Sequence, residues 1–287
     1  MPFRILAVAI GNPANSVTII APGAGAHRPY IDGLIHFLGN PDAGNSYRIR
    51  QDYYIDYFEC YEGTIQFSTL ATVAPSGATA AAPAVIFCMS TPIVRYAEVY
   101  TQTIPIVGVF SDPVGEGFDQ TQNICGVNAQ RIQNGWSYYD TFRTNYPKLK
   151  YIYVLNRVGS TASEKTLANI KNHAPAPSQP PLIELDVTNN AGQDMVTLAG
   201  AVTSDSGLLV LPVDVFFANA DAINDAAKKV KVFWPAKEFA KNNTLYYGAS
   251  QTSCGSKMGK QVQYIFDHID APQIPMGPDR FVTVDPD

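Results

Sequence analysis

Short apolar runs alternate with amphipathic segments along most of the chain. The runs Ala84 to Met89 and Ile104 to Phe110 are apolar throughout, which is typical of parallel strands covered on both faces. Residues 27–38 and 91–100 instead show the spacing of amphipathic helices. Repeated strand–helix alternation predicts an α/β fold with parallel sheets and right-handed crossovers.

The same pattern places elements over the rest of the chain. The first strand of the domain is expected at Val17 to Ala21, with residues 1–14 as a strand or a residual piece before the domain. Further strands are predicted at 47–58, 122–127, 151–155, 182–187, 207–211, 230–234, 245–249 and 281–284. Further helices are predicted at 63–73, 129–146, 162–172, 191–203, 219–229 and 255–268.

About nine or ten strands are more than a single sheet comfortably holds, so we expect two sheets in two lobes. The expected N-terminal lobe comprises residues 1–126 and 245–272, and the C-terminal lobe comprises 127–244 and 273–287. Crossings between the lobes are then expected near 123–128, 243–249 and 272–280. The Pro-rich segment 173–181 and the Gly/Ala-rich segment 75–83 are expected to be loops.

Polar residues follow the buried runs directly. Ser90 and Thr91 come after the first run, and Ser111 and Asp112 come after the second. Ligands of open α/β sheets bind at this carboxyl edge. Two interpretations of each pair stay open. Asp112 before a proline also favours a turn, and a helix-capping hydroxyl at Ser90 or Thr91 needs no ligand, although a helix N-terminus also attracts anions.

The order of strand, Ser-Thr-Pro, helix, and then TIPIV, SDPVG and NICGV resembles the TrpX-type substrate-binding proteins of ABC transporters. The resemblance extends from about Val17 to the C-terminus and is strongest over 84–127. PGAGAHRPYIDGLIHFLG matches the family's first strand, loop and helix. It implies the type 1 periplasmic binding protein fold, with two Rossmann-like lobes and a ligand cleft that closes by hinge motion. It also implies a transporter permease as partner, an extracytoplasmic location and no catalysis.

The resemblance also implies which residues hold the ligand. Ser90, Thr91, Ser111 and Asp112 would act from one lobe. The remaining expected ligand residues are Asn156, Ser160, Thr161, Asp214 and Ser250.

Three departures from the family pattern affect the expected ligand. Arg157 and Val158 replace Pro-Ser, and Val215, Phe216 and Phe217 replace hydroxyl residues. Ser250 stands where many relatives have an acid that meets a ligand amine. A desolvated ammonium would then have only Asp112 and Asp214 as negative partners, which is costly. The residues at 215–217 would instead give the cleft an apolar wall, which suits an aromatic or aliphatic body. We therefore rank a ligand with an apolar or aromatic body and one polar or anionic end above a free α-amino acid.

Composition excludes some classes of function. The chain has 287 residues, a net charge of −5 and no Lys/Arg run, which argues against nucleic acid as a partner. No apolar run has the length of a membrane span. Neither the four cysteines nor the four histidines have metal-ligand spacing, so no metal and no cofactor are expected. Buried free thiols are expected for the cysteines, with disulfides as an alternative.

Two other classes of function stay open. A cytoplasmic ligand-sensing protein of the same fold is favoured by unpaired thiols and by Met1 to Ala14, which is too short and too weakly basic for a signal peptide. An α/β enzyme would need a nucleophile–base pair, and the sequence shows none. GSKMGK at 255–260 is one residue short of a P-loop. No catalytic residue is assigned, and a monomer is expected.

Overall fold

A computed structural model describes residues 2–10, 18–19, 26–40, 47–48, 51–60, 66–72, 79–173, 180–188, 192–241, 244–270 and 279–286. Four segments that the sequence analysis treats as loops or crossings, 22–25, 75–78, 174–179 and 272–278, lie outside these residues.

Strands and helices alternate as the pattern predicts. The strands are β1 Phe3–Ile10, β2 Thr18–Ile19, β3 Tyr53–Cys60, β4 Val85–Cys88, β5 Ile106–Phe110, β6 Ile124–Asn128, β7 Ile152–Arg157, β8 Leu182–Val187, β9 Gly207–Val210, β10 Lys231–Trp234, β11 Thr244–Tyr246 and β12 Phe281–Thr283. The helices are α1 Arg28–Leu38, α2 Phe67–Leu70, α3 Thr91–Tyr100, α4 Gly135–Asn145, α5 Thr161–His173, α6 Gly192–Gly200, α7 Asp214–Ala218, α8 Ala220–Ala226 and α9 Gln251–Asp267.

The chain divides into two compact units, Met1–Ala129 with Gln251–Val284, and Gln130–Ser250 with Asp285–Asp287. The first contains a seven-stranded sheet in the order β12-β6-β5-β4-β1-β3-β2, and the second contains a five-stranded sheet in the order β11-β10-β9-β7-β8. Neighbouring strands are parallel throughout, apart from the antiparallel pair β2–β3. The prediction of two parallel sheets is confirmed.

The first strand of the first unit is β1, which lies within residues 1–14, where a strand was one of the two alternatives. The expectation that Val17 to Ala21 forms the first strand is wrong. Among the described residues of that segment, Thr18–Ile19 is a short strand at the sheet edge, whereas β1 lies inside the sheet, between β3 and β4. In the structure Arg4 is buried, and its Nε donates to Asp56 Oδ2 at 2.6 Å. The guanidinium also donates to main-chain oxygens, those of Leu70, Ala71 and Ala81. With its charge paired and its donors used, an arginine fits inside a strand that is otherwise apolar.

Helices α1 and α9 pack in close backbone contact beside the first sheet. A Cβ atom at Gly33 would lie 2.2 Å from the Thr252 carbonyl oxygen, and one at Gly255 would lie 2.0 Å from the Tyr30 carbonyl oxygen. Glycine is therefore required on both helices. The contact brings the beginnings of both helices, residues 27–28 and 251–252, to the same part of the first unit.

Two short strands belong to other sheets than the sequence analysis expected. The segment 245–249 was placed in the N-terminal lobe, but β11 pairs with β10 in the second sheet. The segment 281–284 was placed in the C-terminal lobe, but β12 pairs with β6 in the first sheet. Three-residue strands have too few positions for their apolar pattern to specify a partner.

Three predicted helices have different bounds. The helix expected at 63–73 is only the four residues of α2 within the described part of the chain. The one expected at 129–146 begins at Gly135, and residues 131–134 form turns before it. The one expected at 219–229 is preceded by α7, which begins at Asp214.

Candidate functional site

Ser90 and Ser111 lie at the carboxyl ends of β4 and β5, which are neighbours in the first sheet. The Ser111 N–H donates to Thr91 Oγ1 at 3.4 Å, so the two loops are in direct contact. Ser90 is 1% exposed, and its hydroxyl has no hydrogen-bond partner among the described residues. Its side chain does not cap α3. The capping interpretation of Ser90 is therefore wrong, and the buried hydroxyl calls for another partner.

Asp112 closes its own loop. Its Oδ1 accepts the Gly115 N–H at 3.1 Å, and its carbonyl oxygen accepts the Glu116 N–H at 3.0 Å. A Cβ atom at Gly115 would lie 2.0 Å from Asp112 Oδ2, so a larger residue here would displace the Asp112 carboxylate. The turn-forming interpretation describes what Asp112 does in the structure. A ligand contact by the same carboxylate stays a prediction.

In the second unit, Asn156 is held within a side-chain network at the end of β7. Its Nδ2 donates to Asp186 Oδ1, and its Oδ1 accepts the Ser163 hydroxyl, both at 2.8 Å. Ser160 Oγ accepts the Ser163 N–H at 3.4 Å near the start of α5, while Thr161 is exposed. Asn156 and Ser160 therefore make contacts that need no ligand, and Ser163 is a member of the network that the sequence analysis missed.

Asp214 follows β9 and begins α7, where it is 7% exposed. Arg131 Nη1 lies 3.8 Å from Asp214 Oδ1, and the guanidinium carbon lies 5.2 Å from the centre of the Phe217 ring. The sequence analysis missed Arg131 because it placed this residue inside a long helix. No local motif marks an arginine whose partner is 83 positions further along the chain.

The three residues after Asp214 fill the core of the second unit. Val215, Phe216 and Phe217 are all buried, and the Phe217 ring stacks on Phe239 with centroids 4.5 Å apart. Their apolar sequence alone predicts a wall of the ligand cleft. The structure gives them a packing role, so they are no evidence for an apolar ligand.

A polar cluster at the end of β3 was not predicted. The Tyr57 hydroxyl donates to Glu59 Oε1 at 2.5 Å, and the His27 N–H also donates to the Glu59 carboxylate. Gln251 Nε2 lies 3.4 Å from His27 Nδ1. Burial raises the pKa of Glu59, although both hydrogen bonds act to lower it. Ser250, which was predicted as a ligand residue, is buried directly before Gln251 in the chain.

The four cysteines are free and buried. Burial raises the pKa of the Cys60 thiol to about 11 and that of Cys125 to about 12, and it also raises that of Cys88. A thiol must be ionised to attack an electrophile, so Cys60, Cys88 and Cys125 are poor nucleophiles at neutral pH.

Three further findings concern the described residues. They contain no group of three or more His, Cys, Asp or Glu that could hold a metal ion. None of their helices combines the length and hydropathy needed to cross a bilayer. A cavity of about 500 Å³ lies at the amino ends of β9 and β10, and none of the predicted site residues lines it.

Several solved structures resemble the whole chain. A conserved domain protein from Vibrio cholerae aligns with a TM-score of 0.73 and 18% identity, covering 100% of this chain and 90% of that one. An ABC domain in complex with L-Trp from Streptococcus pneumoniae aligns with a TM-score of 0.69 and 13% identity, covering 99% and 90%. An ABC transporter solute-binding protein from Bacillus halodurans with bound myo-inositol has a TM-score of 0.60 and 12% identity, covering 100% and 94%.

No protein-family model matches the chain, and no curated protein matches it by sequence. The identities of 12–18% therefore support the fold alone. Two parallel sheets with flanking helices, together with these neighbours, define the type 1 periplasmic binding protein fold. Solute-binding proteins of ABC transporters are among the structures that share it.

Proposed function

We propose that this protein is a solute-binding protein that captures a small molecule for an ABC importer. The observation that supports this most is the buried Ser90 hydroxyl at the carboxyl edge of the first sheet, which has no partner among the described residues. In α/β folds this edge is where ligands bind. A bound solute would supply the missing hydrogen bond.

The proposed solute has an apolar or aromatic body and at least one polar end. The start of α3 offers main-chain N–H groups and the Ser90 hydroxyl, which suit a polar or anionic group. Among the structural neighbours, one was solved with L-Trp and another with myo-inositol. The proposed binding residues are Ser90, Thr91, Ser111, Asp112, Asn156, Ser160, Thr161, Asp214 and Ser250.

The finer assignments are part of the same proposal. We propose a TrpX-type protein that works outside the cytoplasm as a monomer and delivers its solute to a transporter permease. The raised pKa values of the thiols support binding rather than thiol-based catalysis.

The four free, buried thiols favour one alternative, a cytoplasmic ligand-sensing protein of the same fold. Thiols persist in the reducing cytoplasm, whereas extracytoplasmic proteins often form disulfides. Cell fractionation of the tagged full-length protein separates the two functions, since an importer component requires an extracytoplasmic pool.

Native mass spectrometry of the purified protein tests for a bound solute. The expected spectrum contains a species heavier than the chain by one small molecule, and this increment disappears on denaturation. A spectrum of bare protein, combined with no thermal shift by amino acids, aromatic carboxylates or polyols, would contradict the proposal.

A further inference from the structure

Glu59 lies at the same edge of the first sheet as the proposed binding residues. Val8 of β1 pairs with both Phe58 of β3 and Cys88 of β4, and Ala9 pairs with Glu59. Glu59 is therefore at the level of the residue after Cys88, one position before Ser90. The main chains of β3 and β4 are two strand spacings apart, about 10 Å. A solute at this edge of the sheet would have to span about this distance to contact both Ser90 and Glu59.

The Glu59 carboxylate is partly buried, and a cation in its neighbourhood, Arg28, is paired with Asp32 at 2.7 Å. None of the ion pairs in the described part of the chain includes it. Its identified partners, the Tyr57 hydroxyl and the His27 N–H, are neutral donors. Its raised pKa shows that the environment disfavours the charge. An ionised carboxylate at a partly buried position is costly unless it forms an ion pair with a positive group.

A second acceptor lies in the same cluster. Gln251 is fully buried, and its Oε1 has no hydrogen-bond partner among the described residues. Its Nε2 lies 3.4 Å from His27 Nδ1, and the main-chain N–H of His27 donates to Glu59. The cluster therefore combines a carboxylate with an amide oxygen, and both accept hydrogen bonds.

We propose that Glu59 binds a protonated amine of the solute. An ammonium group would supply the positive charge that the carboxylate lacks, and its three N–H donors suit a site rich in acceptors. This inference rests on the proposed solute-binding function and specifies its solute.

The proposal reverses the preference drawn from the sequence. That preference counted only Asp112 and Asp214 as possible partners for an amine and used an apolar wall at 215–217. The structure adds Glu59 as an acid and places residues 215–217 in the core. An amine-bearing solute then ranks above its amine-free counterpart.

Calorimetric titration of the full-length protein tests the proposal with matched probes. The amine-bearing probes are L-tryptophan, tryptamine and L-phenylalanine. The amine-free probes are indole-3-propionate, 3-phenylpropionate and myo-inositol. The test variant is Glu59→Gln, which removes the charge and keeps an oxygen for the Tyr57 hydroxyl. The control is Glu98→Gln on α3, whose carboxylate also accepts a hydroxyl, that of Thr121 at 2.7 Å. Melting temperatures without probe confirm that both variants are folded.

We expect an amine-bearing probe to bind to the wild-type protein. Glu59→Gln should lower the affinity for this probe by about tenfold or more, because one partner of a buried charge pair is lost. Glu98→Gln should leave its affinity within about twofold, and Glu59→Asp should retain part of it. Equal affinity in Glu59→Gln and wild type would overturn the proposal. So would an amine-free probe that binds as tightly as its amine counterpart.

If no probe binds, the solute that co-purifies with the protein is identified by mass spectrometry. If that solute has an amine, it replaces the probes in the same titrations. If it has none, the amine proposal is overturned while the solute-binding function stands. If neither a probe nor a co-purified solute binds, both are overturned.

Discussion

The buried Ser90 and the partly buried Glu59 are the strongest indications of function at the residue scale. Each has an oxygen whose environment is unfavourable in the ligand-free protein. Asn156 and Asp112, by contrast, already have hydrogen-bond partners that account for their positions. Binding sites commonly retain such unfavourable groups at a cost in stability.

Glu59→Gln should therefore stabilise the ligand-free protein at neutral pH. Burial raises the pKa of Glu59 in the folded state above its value in the unfolded state. The contribution of Glu59 to the free energy of unfolding is therefore fully present below the unfolded-state pKa, and it is lost as the pH rises through the folded-state pKa. The variant should melt at a higher temperature than wild type at pH 7, and this gain should shrink towards pH 4. Thermal melts across this range check it, with Glu98→Gln as control. A wild type that is equally stable at pH 7 would contradict it.

Asp112 can be tested by two substitutions that separate its turn from its charge. Asp112→Asn keeps an oxygen for the Gly115 N–H, whereas Asp112→Ala removes it and should cost about 1 kcal/mol of stability. If the carboxylate also contacts the solute, Asp112→Asn should weaken binding by about tenfold with an unchanged melting temperature. Titration with the solute identified by mass spectrometry measures this. Unchanged affinity in Asp112→Asn would leave Asp112 as a turn residue alone.

At the element scale, the best-predicted parts are long apolar runs followed by polar loops. The runs at β4 and β5, with the helix after Ser90, appear where expected because both faces of these strands are buried. A strand within residues 1–14 was one of two alternatives, but its place inside the first sheet could not be predicted, because the partner of Arg4, Asp56, lies 52 residues away. Glu59 was missed for a similar reason, since its neighbours His27 and Gln251 come from two distant helices.

The close packing of α1 on α9 gives a prediction for glycine substitutions. Gly33→Ala or Gly255→Ala would push a methyl group into the opposing backbone and should destabilise the protein by about 1–3 kcal/mol. Gly200→Ala in α6 is the matched control, because the nearest atoms lie 3.9 Å away. The control should be neutral or stabilising by up to about 1 kcal/mol. Urea unfolding gives all three values, and a Gly33→Ala variant as stable as wild type would refute the packing.

At the scale of the whole molecule, the number of sheets could be predicted, but the membership of the short strands could not. Strand–helix alternation is a local property, so it predicts parallel strands and about how many there are, and that number is too large for one sheet. Residues 281–283 pair with β6, about 155 residues earlier in the chain. Such pairing depends on the folded first unit, and a three-residue pattern contains no record of it.

The central claim is reversible binding of one small molecule without turnover. The most direct test is an equilibrium titration of the full-length protein with the solute found by native mass spectrometry, followed by chemical analysis of the recovered solute. We expect saturation at one solute per chain and recovery of the compound unchanged. Conversion of the compound, or the absence of saturable binding, would contradict the account.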